Sequence, residues 1–256
     1  VGTNVSVPAG TVIADLKGKR IYPALIDIDS DYGMPEITRG PGGGGRGAGA
    51  PQYESNKKGP YYWNQAIQPE NEAGVIFKAN AAKADELRKL GFGAVLVHPH
   101  DGIARGTGAL VTLADDRENT LVLKPNATAH YSFSKGTSTQ QYPNSMMGVV
   151  ALLRQAMYDA DWYKRAGSKE QANMSLEALN RIRTLPTIFE ANDKLGIMRA
   201  DKIGDEFGIQ YVIRSTGDEY QMIDEVKTTG ASLIVPLNFP QPYDVEDPWD
   251  ADNVSL

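Results

Sequence analysis

Residues 187 to 235 read TIFEANDKLGIMRADKIGDEFGIQYVIRSTGDEYQMIDEVKTTGASLIV. Thr187 to Phe189, Tyr211 to Ile213 and Leu233 to Val235 are short apolar runs rich in β-branched and aromatic residues, the pattern of buried strands. Between them, Ile197 to Phe207 and Glu219 to Thr229 carry apolar residues at helical spacing. Gly208 and Gly230 stand where a helix end favours a left-handed residue. Strand, helix and strand at this spacing predict parallel βαβ units with right-handed crossovers.

Upstream, the same alternation continues with more interruptions. A helix is expected near Leu176 to Arg183. A long amphipathic helix is expected from about Ser145 to Arg165, with Met147, Val150, Leu153, Met157 and Tyr158 on its core stripe. Strands are expected near His130 to Phe133, at Leu121 to Leu123 and Ala109 to Leu113 as a hairpin, and at Phe92 to Val97. Ala79 to Leu90 reads as a helix ended by Gly91, and Ile21 to Ile28 as the first buried strand. The first 20 residues alternate as β-structure around turns at Pro8-Ala9-Gly10 and Lys17-Gly18-Lys19. Residues 38–60 form a Gly-rich loop. Its Gly42, Gly44 and Gly47 match G-x-G-x-x-G, but no strand leads in and no helix follows, so a dinucleotide fingerprint is rejected.

Because the residues with chemical potential fall just after strand ends, a TIM-type barrel is favoured over a doubly wound sheet. About five parallel strands are legible where closure needs eight, so the fold class is α/β, an incomplete TIM-type (β/α) barrel that something else completes.

The 256 residues carry 26 Lys and Arg against 32 Asp and Glu, a net charge of −6, which argues against nucleic acid as a partner. No apolar run reaches membrane-spanning length, so no transmembrane segment is expected. The absence of cysteine excludes disulfides, thiolate metal ligands and a thiol nucleophile. The chain opens at Val1 without a leader and ends in a polar acidic stretch at Leu256, which reads as a processed, excised or incomplete chain.

Tyr22-Pro23-Ala24-Leu25-Ile26-Asp27 resembles the segment that opens the barrel in the amidohydrolase superfamily. Leu87-Arg88-Lys89-Leu90-Gly91-Phe92 resembles its first helix-to-strand join, and Gly106-Thr107-Gly108-Ala109 the Gly-x-Gly-Ala turn of its imidazolonepropionase-like branch. Met147-Gly148 to Leu153-Arg154 and Ala200-Asp201 to Glu206-Phe207-Gly208 resemble later helices of that branch. The order of these segments over residues 5 to 245 is the stronger part of the likeness. The resemblance implies that residues 1–20 are the tail of a β-sandwich domain and that residues 21–256 are a partial barrel.

It also implies metal ligands that this chain lacks. Where the family carries His-x-His after its first strand, this chain has Asp29 and Asp31. Where further histidines are usual, it reads Phe189-Glu190-Ala191-Asn192 and Ile213-Arg214-Ser215-Thr216-Gly217. Tyr131-Ser132-Phe133-Ser134-Lys135 lacks the bridging acid. The resemblance therefore implies the degenerate N-terminal domain of a large two-domain bacterial member: a non-catalytic structural or regulatory pseudoenzyme with no cofactor. Its partner would be a second amidohydrolase domain or another chain that completes the barrel, in the periplasm, secreted or at the cell surface. The Gly-rich loop and the aromatic cluster of Tyr53, Tyr61, Tyr62 and Trp63 are its candidate contact surfaces.

The alternative is a metal-dependent hydrolase of cyclic amide or peptide-like C–N bonds. Its zinc or other divalent cation would be held by His98, His100 and His130, with Asp101 as base, or by Asp29, Asp31 and Glu190. Asp27, Asp29 and Asp31 also begin like a calcium loop, although glycine falls at Gly33 and Thr38 stands at the twelfth position. Against these readings stand plainer ones: the aspartates cap backbone N–H groups, and the histidines serve hydrogen bonds in a loop. A third reading is a binding module that keeps a pocket without turnover. Ser132, Ser134 and Ser138 lack a nucleophile elbow, and Asp115-Asp116 and Asp159/Asp161 read as surface charge.

Overall fold

A computed structural model describes residues 6–12, 14–38, 51–166 and 169–236. Gly42, Gly44 and Gly47 lie outside the described residues, as does the acidic tail. The elements run β1 (Leu25–Ser30), α1 (Ala73–Ile76), α2 (Ala81–Lys89), β2 (Phe92–Val97), β3 (Ala104–Thr112), α3 (Glu118–Leu121), β4 (Val122–Ser132) and α4 (Met146–Arg165). They continue with α5 (Met174–Ile182), β5 (Thr187–Glu190), α6 (Lys194–Phe207), β6 (Tyr211–Arg214), a 3-10 turn at Glu219–Met222, α7 (Ile223–Thr229) and β7 (Ser232–Ile234).

The seven strands form one sheet in chain order. β1 and β2 are parallel, β3 runs antiparallel to both β2 and β4, and β4 to β7 are parallel. Six strands therefore share one direction and β3 alone is reversed. Among the described residues β1 and β7 each pair on one side only, so the barrel is unclosed.

The C-terminal half forms close to its reading because its signals are local. Asp193 caps α6 from Gly196 N, and Gly208 (φ 66) and Gly230 (φ 64) end α6 and α7. Ser145 caps α4 by accepting from Gly148 N at 3.2 Å. The buried face of α4 is Val149, Leu152, Leu153, Ala156, Met157, Ala160 and Tyr163, spaced at three and four residues. It packs with α5 and α6 onto Tyr131, Phe189, Tyr211 and Ile213 of the sheet. Met147 and Tyr158 are not core: they are 83% and 50% exposed, because each sits one position beside the buried stripe. A second, smaller core joins Tyr32, Phe77 and Ala84 to Val95, Val97, Val111 and Leu113.

Three expectations are corrected here. The hairpin strands are longer than read, and Gly106 to Ala109 is not a turn but the middle of β3. Gly106 takes φ +98 at a register irregularity, and a Cβ there would lie 2.0 Å from the Asn71 carbonyl oxygen. β1 starts at Leu25 rather than Ile21, after Pro23, which cannot donate to a ladder. Among described residues 6–24 the turns near Gly10 and Gly18 form, but no strand does and the segment is exposed. A hairpin without a third strand or a covering layer is marginal in water.

Candidate site at the barrel mouth

The parallel strands bring their C-terminal ends to one rim, and because β3 is reversed its first residues sit at the same rim. Asp29 of β1, Glu190 of β5 and Arg214 of β6 meet there with Arg105, the second residue of β3, and with His98, the first residue past β2. Alternation places them: on β4, His130 and Ser132 share one face while Tyr131 joins the helix-side core.

These groups form a chain of ion pairs running from Arg105 through Glu190, Arg214 and Asp29 to His98. Arg105, 4% exposed, donates from a terminal nitrogen to Glu190 Oε2 at 2.5 Å and from Nε to the Gly102 carbonyl at 3.2 Å. Arg214 donates from Nε to Asp29 Oδ2 and holds a second nitrogen 3.9 Å from Glu190 Oε1. The other oxygen of Asp29 lies 2.9 Å from His98 Nε2. Burial alone would raise the Asp29 carboxyl, but the His98 hydrogen bond and the Arg214 charge outweigh it and hold it well below the usual carboxylate range. Glu190 follows the same pattern: burial opposes ionisation, and Arg105 with Arg214 overcomes it.

In a flat sheet β1 and β6 would stand five spacings of about 4.8 Å apart, roughly 24 Å. A direct side-chain bond between Asp29 and Arg214 therefore requires a sheet rolled around a lumen.

All three histidines come together at this rim. The rings of His98 and His130 stack at 3.7 Å and 10°, and those of His98 and His100 lie 4.0 Å apart at 33°. Because β2 ends at Val97, Pro99 interrupts no ladder and the two imidazoles flank it in a loop. His130 is buried, with Nε2 2.7 Å from Thr128 Oγ1. Gly108 makes the room, since a Cβ there would lie 2.6 Å from His130 Nε2. Burial first, then the neighbouring His98 and the Arg105 charge, lowers His100 to about 4 and His130 well below its ordinary value. A cavity of about 800 Å³ opens over the rim, lined among others by Asp27, Asp31, Lys83, His100 and Arg214.

The metal set that the family resemblance implies does not fit. Asp31 turns outward to Lys83 at 2.9 Å and is 70% exposed, Asn192 is exposed, and Ser215 is buried with its hydroxyl directed at the Ile234 carbonyl. Two guanidinium groups stand among the remaining carboxylates and supply the positive charge there. The calcium-loop pattern also fails to converge: Asp27 accepts from Asp29 N at 3.1 Å, the capping role, while Asp31 points away.

Asp101 is held on the Thr137 loop, accepting from Thr137 N on one oxygen and from Thr137 Oγ1 on the other, both at 2.6 Å. Ser132 donates to the Gly102 carbonyl, and Lys135 to the Gln140 carbonyl. Asp115 and Asp116 are exposed, Asp159 accepts from Tyr62 at 2.7 Å, and Asp161 pairs with Arg183. In the aromatic cluster, Tyr62 is buried and Tyr53 offers its carbonyl to Gln140. Tyr61 lies under Lys57, and Trp63 stacks on Tyr142 at 6.0 Å while 48% exposed.

Sequence reading missed both arginines. Their one signal is placement: Arg105 is the single charge in residues 102–114, and Arg214 is the last residue of an otherwise uncharged strand.

No protein-family model matches this chain, and no curated protein matches it. Among solved structures it is similar to an amidohydrolase from Thermotoga maritima, with a TM-score of 0.68 and 22% identity over 96% of this chain. The match spans 64% of that protein's length. With the rolled sheet and its rim of functional groups, this likeness shows the architecture of the chain: an amidohydrolase-like, incomplete (β/α) barrel.

Proposed function

We propose that this chain is a non-catalytic amidohydrolase-like domain of the imidazolonepropionase-like kind, a structural or regulatory part of a larger amidohydrolase. The observation that carries the reading is the chain of ion pairs at the rim. Asp29 Oδ2 and both oxygens of Glu190, at the positions where the family resemblance expects metal ligands, are engaged by Arg214 and Arg105. A guanidinium is always charged and presents its donors in a fixed fork, so it organises carboxylates as a metal would. Unlike a metal, it neither generates hydroxide at neutral pH nor polarises a carbonyl as a Lewis acid. The unclosed sheet supports the second half of the reading, since two strand edges left free among the described residues are suited to completion by another domain or chain.

The test is a turnover assay against cyclic amides and dipeptides, with and without added Zn²⁺, run beside the Glu190→Gln variant. The expected result is no hydrolysis above buffer in either protein. Turnover by the natural chain that Glu190→Gln abolishes would overturn the reading and favour a metal-dependent hydrolase.

A further inference from the structure

Beside the chain of ion pairs, the contact between His98 and Asp29 needs a proton or another cation between its two atoms. His98 holds Nδ1 3.0 Å from the Pro99 carbonyl and Nε2 2.9 Å from Asp29 Oδ1. A carbonyl only accepts, so Nδ1 carries the ring hydrogen and a neutral His98 turns the Nε2 lone pair toward a carboxylate oxygen. Two acceptors at that separation require a positive charge between them. His100 brings a third donor atom. Its Nε2 is buried without a hydrogen-bond partner, and one ligating atom from each of Asp29, His98 and His100 lies within 4.8 Å of the others.

We infer that Asp29, His98 and His100 form a binding site for a borderline divalent cation, Zn²⁺ foremost, held by one carboxylate oxygen and two imidazole nitrogens. Two imidazoles and a carboxylate are a donor set that suits zinc and serves calcium or magnesium poorly. Tetrahedral zinc with ligands at about 2.0–2.1 Å keeps neighbouring ligand atoms about 3.3 Å apart, so Nε2 and Oδ1 need to separate by only a few tenths of an ångström. The outer shell is already built. The Pro99 carbonyl fixes the His98 tautomer, and Arg214 holds the second oxygen of Asp29, the supports that orient metal-binding imidazoles and carboxylates. His100 and Asp29 both line the rim cavity, which leaves the fourth position open to a water or a small ligand. His130 stands behind as packing, its Nε2 taken by Thr128.

This site shares only Asp29 with the ligand set that the family resemblance implies, and it goes beyond the non-catalytic reading without resting on it. The experiment is competition for Zn²⁺ against a chromophoric chelator at pH 7.5 with the full chain, repeated with His100→Ala, Asp29→Asn and, as a control away from the site, the exposed Asp115→Asn. Circular dichroism melts check that each variant is folded. The expected result is saturable one-to-one binding by the natural chain, weakened about tenfold or more in the first two variants and unchanged in the third. For the natural chain, Co²⁺ in place of Zn²⁺ should give the intense visible bands of a four- or five-coordinate ion, a readout that needs no variant. No saturable binding, meaning that only a proton stands between His98 and Asp29, would overturn the inference, and so would binding that His100→Ala and Asp29→Asn leave intact. Binding without turnover in the hydrolysis assay supports both readings. Binding with turnover supports the cation site and overturns the non-catalytic reading alone.

Discussion

Arg105 and Glu190 lie 85 residues apart in the chain and 2.5 Å apart at the rim. Replacing Arg105 with Met leaves the largely buried Glu190 carboxylate with the Arg214 contact at 3.9 Å and should cost about 3 kcal/mol in urea unfolding. Adding Glu190→Met should return much of that loss, because the lone charge rather than the missing pair is what costs most. The acidic and imidazole groups also set a pH dependence. His100 titrates at about 4 in the fold against about 6.5 ordinarily, so the unfolded chain binds the extra proton first. Its contribution is whole above about pH 6.5 and declines as pH falls toward 4; the depressed Asp29 and Glu190 extend the loss through the ordinary carboxylate range and below. Thermal melts with a chelator present should therefore fall steadily from pH 7 to pH 4, and a flat profile would contradict this assignment. At this scale the sequence displayed the carboxylates and imidazoles but not what neutralises them, since a charge in a string does not say which distant residue it faces.

Among the elements, the two glycines of β3 do the positioning. Gly108→Ala would drive a Cβ into Thr128 Oγ1 and His130 Nε2, and Gly106→Ala would meet the backbone of Asn71 at a positive φ. Both should destabilise by roughly 2 kcal/mol or more, the range of overpacking and backbone strain. Gly108→Ala should also broaden or shift the histidine resonances in NMR, whereas Gly106→Ala should act chiefly on the fold. On α4, Leu153→Ala should cost about 3 kcal/mol in the same urea measurement, and Ser145→Ala about 1 kcal/mol for the lost cap. α6, α7 and β5 to β7 were legible because their stop signals are local: Gly208, Gly230 and short β-branched runs. β3 was not, since its two glycines read as a turn until the bulge against Asn71 explains them.

For the whole molecule, sheet order follows chain order, and alternation of strands and helices was enough to expect a partial barrel. The reversal of β3 was beyond that pattern, because strand periodicity is the same in both directions. β1, one of the two edges left free among the described residues, exposes Leu25 (58%), Ile26 (60%) and Ile28 (45%). A free apolar edge invites pairing with another chain. We expect the isolated chain to run larger than 27.8 kDa by light scattering, and Ile26→Lys with Ile28→Lys to shift it toward that mass. A natural chain that is strictly monomeric at high concentration would contradict this.

The bond from Asp29 to Arg214 joins residues 185 positions apart, and it behaves as a clasp on a bracelet. Loop closure over so long a span is entropically expensive, while β2, β3 and β4 pair through short connections. The meander can therefore form early and the clasp late, and whatever closes last with few supporting contacts is free to open first. Native-state hydrogen exchange should find β1 releasing its amides by local opening well before β4 and β5. Through Asp29, a ligand taken up at the rim would then be felt as slower unrolling of the entire barrel.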